Sequence, residues 1–354
     1  MAMPNVLMIG PDCKAQGGMA TVEANILESV RARGDHAEFI STYVEGSKPK
    51  KLFVASRAYL SYLCLLGQYD LVHVHMASRG SYERKKFFMN AAFRKGVPVL
   101  LHLHGAEFVV WFDRECSDSK RSEIRKTFGR CAKVVVLSEE WRDILIDRHI
   151  CEKESVSVLH NAVYVPSSNS TDYYDQNVLF MGRLGERKGA GTLLRAAKAV
   201  LADFPQARFT LAGDGDVDNY KRLAVELGIE HSCHFPGWVT GDMRDRLYRS
   251  ASVYCLPSKN EGMPMSVLEA MSYGLATITT PVGGIPQVIS DGENGYLVPV
   301  GDHEALAKTI SSLLSNVPLK RSIGEAGRKT VASRFGMEGF FANLLSIYDE
   351  ILKG

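Results

Sequence analysis

Residues 253–269, VYCLPSKNEGMPMSVLE, carry the local signals that decide how this chain folds. The first four letters form a short apolar run, which predicts a buried strand. Residues 257–262 contain the Pro, Ser, Asn and Gly of a loop. Pro264 suits the first position of a helix, because its missing N–H needs no partner there, and residues 267–273 continue as that helix. The stretch therefore predicts a strand, a loop and a helix in succession.

Two carboxylates flank the start of this predicted helix. Glu261 precedes it in the loop, and Glu269 lies about one turn inside it. The amides near Met263, Met265 and Ser266 open the helix, and unpaired amides at a helix N-terminus attract anions. A phosphate bound there would have a carboxylate on either side to accept hydrogen bonds from sugar hydroxyls. This spacing of two glutamates also arises by chance, and Glu269 could be a solvated helix residue, but the strand–loop–helix context favours a binding site.

The same alternation of strand and helix extends along the chain. Strands are predicted at residues 6–9, 37–40, 71–74, 97–103, 133–137 and 155–159, and again at 178–181, 208–211, 234–235, 253–256, 277–279 and 296–298. Helices are predicted between them, for example at residues 20–33, 52–66 and 82–94. The polar segment 166–176 (PSSNSTDYYDQ) has the composition of a linker.

Strand–helix alternation indicates parallel sheets with helices on both faces. We therefore predict an α/β fold of two doubly wound, Rossmann-like domains facing a cleft, with residues 1–165 in the first and 166–336 in the second. Ligands of such sheets bind at the carboxyl ends of the strands.

The composition is that of an ordinary soluble protein. The chain has 354 residues, of which 45% are hydrophobic and 23% charged, and its net charge of +2 points to no nucleic-acid partner. Its seven cysteines are odd in number, form no CxxC pair and follow no secretory leader, so we expect thiols in the cytoplasm. The most apolar segment, 52–66, is interrupted by Arg57 and Ser61 and is too short to span a membrane.

Two further strand-to-helix loops have ligand-binding character. Arg183 and Lys188 lie in the loop after the first strand of the second half, where two cations can neutralise a diphosphate without a metal. Gly17 and Gly18 follow the first strand of the chain, and paired glycines let a backbone approach a ligand closely. A basic surface loop and an ordinary flexible loop are the alternatives. The Gly17–Gly18 loop does not have the three spaced glycines of a dinucleotide site, and the Gly-Asp-Gly of residues 213–215 also lacks the third glycine.

Histidines alternate at the ends of two predicted strands, His73 with His75 and His102 with His104. Four histidines can bind a metal, but no thiolate or carboxylate spacing supports that interpretation, and satisfied core residues are the better prediction. His104, which precedes a glycine, is best placed to reach a cleft. The Asp-Gly-Asp of residues 214–216 predicts a turn and a helix cap, with metal binding as the weaker alternative.

Residues 79–95 have six basic side chains against the single acid Glu83, with Phe87, Phe88 and Phe93 among them. Such a helix can bind an anionic membrane surface. On spacing alone, a solvated helix with its phenylalanines in the core is the better prediction.

Together these residues resemble the family 4 retaining glycosyltransferases of the GT-B fold, over nearly the whole chain. The resemblance includes, besides the motifs above, Asn161, the Phe-Pro-Gly-Trp of residues 235–238 and the Thr-Pro-Val-Gly-Gly of residues 280–284. It departs at residues 161–164 (NAVY), where the family often has Asn-Gly-Val-Asp. It also implies that residues 337–354 form a helix that packs back on the first domain.

The resemblance implies roles for individual residues. Arg183 and Lys188 would bind the diphosphate of a nucleotide-sugar, and Glu269 its ribose. Glu261 would bind the transferred sugar. The amides after Gly262, at Met263 and Met265, would also bind that sugar. Trp238 would lie near the base. Gly17, Gly18 and His104 would approach from the first domain.

The implied activity is metal-independent, cofactor-free transfer of a hexose, from a UDP-sugar rather than a GDP-sugar, to a saccharide or polyprenyl-diphosphate-linked acceptor in polysaccharide biosynthesis. Its place would be the cytoplasm, with peripheral contact to the inner face of the membrane as an added expectation. Two alternatives stay open, a sugar-nucleotide 2-epimerase on the same fold and a non-catalytic sugar-nucleotide-binding protein.

Overall fold

The computed structural model describes residues 3–13, 15–44, 46–168 and 171–353. The chain forms two compact units. The first contains the residues up to Ala162 together with the helix Met337–Lys353, and the second spans Val163–Gly336.

The first unit contains a six-stranded parallel sheet. Its strands are β1 (Val6–Gly10), β2 (Ala37–Ser41), β3 (Leu71–Met76), β4 (Val99–Leu103), β5 (Lys133–Val136) and β6 (Val156–Val158). Its helices are α1 (Gly18–Ala32), α2 (Lys48–Leu65), α3 (Gly80–Lys95), α4 (Phe108–Arg114), α5 (Asp118–Phe128), α6 (Glu139–Asp147) and, from the distant part of the chain, α13 (Met337–Lys353).

The second unit repeats this plan. Its strands are β7 (Asn177–Met181), β8 (Arg208–Ala212), β9 (Cys233–Gly237), β10 (Val253–Leu256), β11 (Ala276–Thr279) and β12 (Tyr296–Leu297). Its helices are α7 (Ala190–Asp203), α8 (Val217–Leu227), α9 (Gly241–Arg249), α10 (Met265–Ser272), α11 (His303–Ser315) and α12 (Val317–Arg334).

Each sheet has one point at which the strand order reverses. The orders are β2-β1-β3-β4-β5-β6 and β12-β11-β10-β7-β8-β9, and every pairing is parallel. The reversal falls between β1 and β3 in the first sheet and between β7 and β10 in the second. The connections on either side of a reversal leave in opposite directions, which opens a crevice at the carboxyl ends of the two strands.

The strands are buried because helices cover both faces of each sheet. All side chains of β1, β10 and β11 are buried, and their sequences VLMIG, VYCL and ATIT are accordingly apolar or carry only threonine as a polar residue. All twelve predicted strands are present, with ends that differ by at most two residues. The predicted α/β fold class is confirmed.

The predicted linker is more firmly attached than its composition suggests. Within residues 166–176, 169 and 170 lie outside the described part of the chain. Tyr173 is buried and its hydroxyl donates to the carbonyl of Gly274 at 2.9 Å, while Thr171 Oγ1 donates to the carbonyl of Tyr273 at 2.7 Å. This segment is therefore part of the second unit.

The helix α13 belongs to the first unit. Tyr348 on α13 lies 2.7 Å from Nδ1 of His73 on β3, and Lys133 on β5 donates to the Glu350 carboxylate at 2.5 Å. Buried apolar side chains of α13, among them Phe341 and Leu344, complete the core of this unit.

Candidate active site

Lys188 and Glu261 meet at the point where the strand order of the second sheet reverses. Lys188 lies in the loop after β7, and Glu261 lies in the loop after the neighbouring strand β10. The ammonium of Lys188 is 2.6 Å from Oε1 of Glu261. The two predicted catalytic residues are therefore direct partners.

Besides Lys188, two further residues contact the Glu261 carboxylate. Its side chain is buried, and Ser258 Oγ donates to Oε1 at 2.7 Å. Nη1 of Arg187 lies 3.7 Å from Oε2 and also donates to the carbonyl of Asn260 at 2.8 Å. No role was predicted for Ser258 or Arg187, although Arg187 stands in the same basic run as Lys188. Their contribution depends on how two distant loops fold together.

Arg183 lies at the outer side of the same loop. Its side chain is 69% exposed, and Nη1 is 2.7 Å from Oδ2 of Asp214. Asp214 follows β8 in the turn predicted there, and Asp216 occupies the N-cap position of α8 but makes no side-chain capping bond. Arg183 is thus available to an anionic ligand once it separates from Asp214.

The start of α10 differs from the prediction in one respect. Pro264 is the residue before the helix, with an extended backbone, and Met265 is the first helical residue. The amides of Met265 and Ser266 therefore open the helix, where no intrahelical carbonyl can accept from them. The side chains of Met263 and Met265 are buried, so these residues can offer a ligand only their backbone.

A neighbouring loop supports the backbone of Glu261 and Gly262. The amide of Gly284 donates to the carbonyl of Gly262 at 2.6 Å. Gly283 has φ of 58°, and a Cβ there would lie 2.0 Å from the carbonyl oxygen of Glu261. Thr280 Oγ1 donates to the carbonyl of Ser258 at 2.5 Å. The close approach requires glycine at position 283 and fixes the position of Glu261.

Glu269, one turn into α10, contacts helix α9. Nη1 of Arg244 donates to Oε1 at 3.2 Å, and the hydroxyl of Tyr248 donates to Oε2 at 2.8 Å. Burial raises the pKa of the Glu269 carboxyl, while Arg244 and Tyr248 act in the opposite direction. The side chain keeps 14% exposure, so a ligand can still reach it. No role was predicted for Arg244 or Tyr248, because the sequence of α9, GDMRDRLYR, is typical of a polar helix at the surface.

Trp238 follows β9 at the edge of the second sheet. Its side chain is 42% exposed, which leaves the indole available to a planar ligand. One strand, β8, separates β9 from β7.

The remaining predicted residues belong to the first unit. Gly17 is the N-cap of α1 with φ of 132°, and Gly18 is the first helical residue; both are exposed. His104 follows β4 and is half-buried, and its Nε2 lies 2.9 Å from Nδ1 of His75. Gly17 and Gly18 follow β1, and His75 is the penultimate residue of β3, so they lie at the strand reversal of the first sheet.

The four histidines form one cluster, of which three members are fully buried. His73 Nε2 lies 3.3 Å from His102 Nδ1, and His73 stacks on His75 with ring centroids 4.2 Å apart and 28° between the planes. Burial lowers the pKa of these three imidazoles, that of His102 to about 3, so they are neutral. His73, His75 and His102 offer ligand atoms within 4.8 Å of one another. Both ring nitrogens of His73 already have protein partners, the hydroxyl of Tyr348 and Nδ1 of His102.

A buried acid and a buried base lie beside these histidines. Glu23 on α1 has no exposed surface, and neither carboxylate oxygen has a hydrogen-bond partner among the described residues. Lys85 on α3 is also buried, and its ammonium donates to Ser81 Oγ at 3.2 Å. Burial raises the pKa of Glu23 and lowers that of Lys85 to about 7.

The basic segment 79–95 is used mainly inside the first unit. Lys85 is buried, Arg79 pairs with Glu107 and Glu115, and Lys86 pairs with Glu83 and Glu123. The predicted solvated helix with its phenylalanines in the core is present in part, since Phe88 is buried but Phe87 is exposed and Lys85 lies inside the unit.

Exposed apolar side chains lie on α2 and α3. The most exposed are Phe53, Leu60 and Phe87, at 68%, 65% and 57%. Among the described residues, no helix is both long and apolar enough to cross a membrane.

Two family models match consecutive parts of this chain. Glycosyltransferase Family 4 matches residues 17–165, and Glycosyl transferases group 1 matches residues 168–330. An uncharacterised glycosyltransferase of Methanocaldococcus jannaschii is 25% identical over 302 residues, which are 79% of this chain and 75% of the relative. The lipopolysaccharide core biosynthesis glycosyltransferase LpsE of Rhizobium meliloti is 33% identical over 162 residues, under half of either protein at 46%.

The fold has close solved counterparts. The crystal structure of Anabaena HepE in complex with UDP-glucose matches 98% of this chain and 100% of that chain, with a TM-score of 0.78 and 17% sequence identity. The two parallel α/β units are those of a GT-B glycosyltransferase. The chain belongs to the glycosyltransferases that these two models, Glycosyltransferase Family 4 and Glycosyl transferases group 1, describe over residues 17–165 and 168–330.

Proposed function

We propose that this glycosyltransferase moves a hexose from a UDP-sugar to a saccharide or polyprenyl-diphosphate-linked acceptor, with retention of anomeric configuration and without a metal ion. The observation that carries the proposal is the joining of Lys188 and Glu261 next to Arg183 and the start of α10. Cations, a carboxylate and free helix amides are the groups that a nucleotide-sugar requires. HepE, solved with UDP-glucose, supports UDP as the nucleotide, and LpsE supports a polysaccharide product.

In this proposal the diphosphate binds to Arg183 and Lys188. Negative charge develops on the leaving diphosphate as its bond to the sugar breaks. The two cations and the positive end of a helix stabilise that charge in the transition state. Lys188 is held in place by Glu261 before the donor arrives, which is the preorganisation that such stabilisation needs.

The transferred sugar binds to Glu261 and to the amides that follow Gly262. Glu269 accepts hydrogen bonds from the ribose, and Trp238 lies near the base. Gly17, Gly18 and His104 belong to the first unit, which binds the acceptor. With retention, the acceptor hydroxyl attacks the face from which the diphosphate leaves, and its proton passes to the leaving phosphate oxygen.

The proposal includes contact with an anionic membrane surface. The exposed side chains of Phe53, Leu60 and Phe87, with the exposed Arg57 on α2, support it. Apolar side chains next to basic ones favour the interface of an anionic bilayer. Contact would bring a lipid-linked acceptor to the first unit.

The test is incubation with UDP-glucose, UDP-galactose and UDP-N-acetylglucosamine, with and without a panel of saccharide and lipid-linked acceptors. Release of UDP should depend on an acceptor, and NMR of the product should show the α anomer. A β-linked product would contradict retention. Conversion of the sugar nucleotide without any acceptor would support the 2-epimerase instead, and binding without turnover under every condition would support a non-catalytic binding protein.

A further inference from the structure

The Glu269 carboxylate already accepts two hydrogen bonds from the protein before any ligand binds. Arg244 donates to Oε1 and Tyr248 to Oε2, at 3.2 and 2.8 Å. A carboxylate has about four lone-pair positions, so about two remain for incoming hydroxyls. The carboxylate can therefore keep both protein partners while it binds a ribose.

The surroundings of Glu269 disfavour a charged carboxylate. The side chain is largely buried, and burial raises its pKa. Arg244 is the positively charged group that lowers the pKa of the Glu269 carboxyl. The titratable and charged groups that face this pair, from α9, from β10 and from the end of α10, are Asp245, Tyr248, Tyr254 and Tyr273, and Arg249 lies over the ring of Tyr273.

We infer that Arg244 is a positioning residue for nucleoside recognition, which holds the Glu269 carboxylate charged and oriented toward the ribose hydroxyls. The inference rests on the proposed function in taking Glu269 as the ribose ligand. The recognition unit for the ribose is then an arginine–glutamate pair that joins two helices, α9 and α10. Loss of Arg244 should damage ribose binding through Glu269 and leave diphosphate binding intact.

The geometry explains why arginine is suited to this position. Nη1 engages the carboxylate, whereas Nε has no hydrogen-bond partner among the described residues and lies 3.9 Å from Asp245 Oδ1. A guanidinium stays charged at every pH at which the protein is folded. The planar group also fixes the direction of its bond to the carboxylate more firmly than a lysine ammonium would.

The experiment measures affinities of UDP, GDP and ADP, which share the ribose, and of pyrophosphate, which lacks it. The variants are Arg244→Leu, Arg244→Lys, Glu269→Gln and the double variant Arg244→Leu/Glu269→Gln. Arg246→Leu is the matched control, because Arg246 lies on the same helix but donates to the carbonyl of Asp242 instead.

Arg244→Leu should weaken the best-bound nucleoside diphosphate about tenfold or more and leave pyrophosphate affinity unchanged. The double variant should lose no more affinity than Glu269→Gln alone, because both changes remove one interaction. Arg244→Lys should recover part of the loss. Relative to Arg246→Leu, which corrects for ionisation of the phosphates, the loss in Arg244→Leu should shrink as pH rises, since Glu269 without its cation ionises at higher pH.

Two results would overturn the inference alone while Glu269→Gln remains defective. One is unchanged affinity in Arg244→Leu, and the other is an additive loss in the double variant, which would make Arg244 a direct ligand contact. If Glu269→Gln itself binds every nucleoside diphosphate normally, the ribose assignment of the proposed function fails and the inference fails with it.

Discussion

Lys188 and Glu261 lie 73 positions apart in the sequence, and their side chains meet at 2.6 Å between Nζ and Oε1. One residue follows β7 and the other follows β10, and these strands are neighbours only because the strand order reverses between them. The ion pair couples the groups proposed for the diphosphate and for the transferred sugar. A change at either residue therefore alters the other, which bears on every experiment at this site.

Replacing either cation should weaken diphosphate binding. Arg183→Ala and Lys188→Ala should each cost about 1.5–3 kcal/mol in affinity for UDP and for the UDP-sugar, the usual loss for a charge-assisted bond. Lys188→Ala should also lower the melting temperature, because it leaves the buried Glu261 without its nearest cation, whereas Arg183 is exposed. Calorimetry with UDP measures the affinities. Lys198→Ala is the control, since Lys198 is an exposed lysine of α7 that is not among the proposed ligand contacts. Unchanged UDP affinity in both variants would refute the assignment.

Glu261→Gln should separate binding from turnover. Lys188 loses its anionic partner in this variant, so UDP affinity should hold or increase. Turnover with the UDP-sugar should fall, because the proposed partner of Glu261 is the reacting ring. Glu269→Gln should instead lower the affinity for UDP itself, because UDP contains the ribose that Glu269 is proposed to bind. The two variants are compared by calorimetry with UDP and by kinetics with the donor. Loss of UDP affinity in Glu261→Gln but not in Glu269→Gln would reverse the two roles.

Activity should survive a chelator. Arg183, Lys188 and the start of α10 supply the positive charge that a divalent ion would otherwise provide. Initial rates before and after dialysis against EDTA measure this. Complete loss, restored by Mg²⁺ or Mn²⁺, would instead assign a metal to Asp214 and Asp216.

The pair of Glu23 and Lys85 should govern how stability depends on pH. Lys85→Met removes the cation that lowers the pKa of Glu23, so that pKa should rise further above the ordinary carboxyl value. A carboxyl with a raised folded-state pKa binds more protons when folded, so its stabilisation is lost as pH rises through the interval between the unfolded and folded values. Melting temperatures of Lys85→Met should thus fall more steeply than those of the wild type as the pH is raised from about 5 to about 8.

In Lys85→Met a charged Glu23 would be buried without a partner. Burying such a group typically costs ~1–3 kcal/mol of stability, which sets the size of the expected effect. Glu23→Gln/Lys85→Met should abolish the added steepness, because it removes the titrating carboxyl. Lys86→Met is the control, since Lys86 lies next in sequence and pairs at the surface of α3. Parallel profiles for Lys85→Met and the wild type would show that Lys85 does not act on Glu23.

Membrane contact should depend on the exposed apolar side chains of α2. The double variant Phe53→Ser/Leu60→Ser should sediment less with phosphatidylglycerol vesicles at low salt than the wild type does. Binding should fade at high salt, because attraction between exposed charges is screened. Leu352→Ser is the control, as Leu352 is an exposed leucine on α13. Equal binding to neutral and anionic vesicles, or no effect of the double variant, would contradict the proposal.

The strands could be predicted from sequence because buried parallel strands are short, continuous apolar runs between loop residues. The position of Glu261 could be predicted for the same reason, as it follows one such run. The start of α10 was misplaced by one residue, since proline is compatible with both the N-cap and the first helical position. The partners of Glu269 were not predictable, because Arg244 lies on another helix within a run of polar residues. Lys85 stands in a basic run, and its burial depends on the tertiary packing of α3.

The separation of α13 from the rest of its unit affects how the protein folds during synthesis. Tyr348 and its helix reach the ribosome exit only after all of Val163–Gly336 has been made, yet they pack on β3 and β5. The second unit is continuous in the chain and can fold as soon as it emerges, whereas the first must wait with its α13-binding surface uncovered. Domains generally fold as units in the order of their synthesis. Here the N-terminal half is completed last, and the nascent chain keeps the apolar surface that binds α13 exposed until that helix has been made.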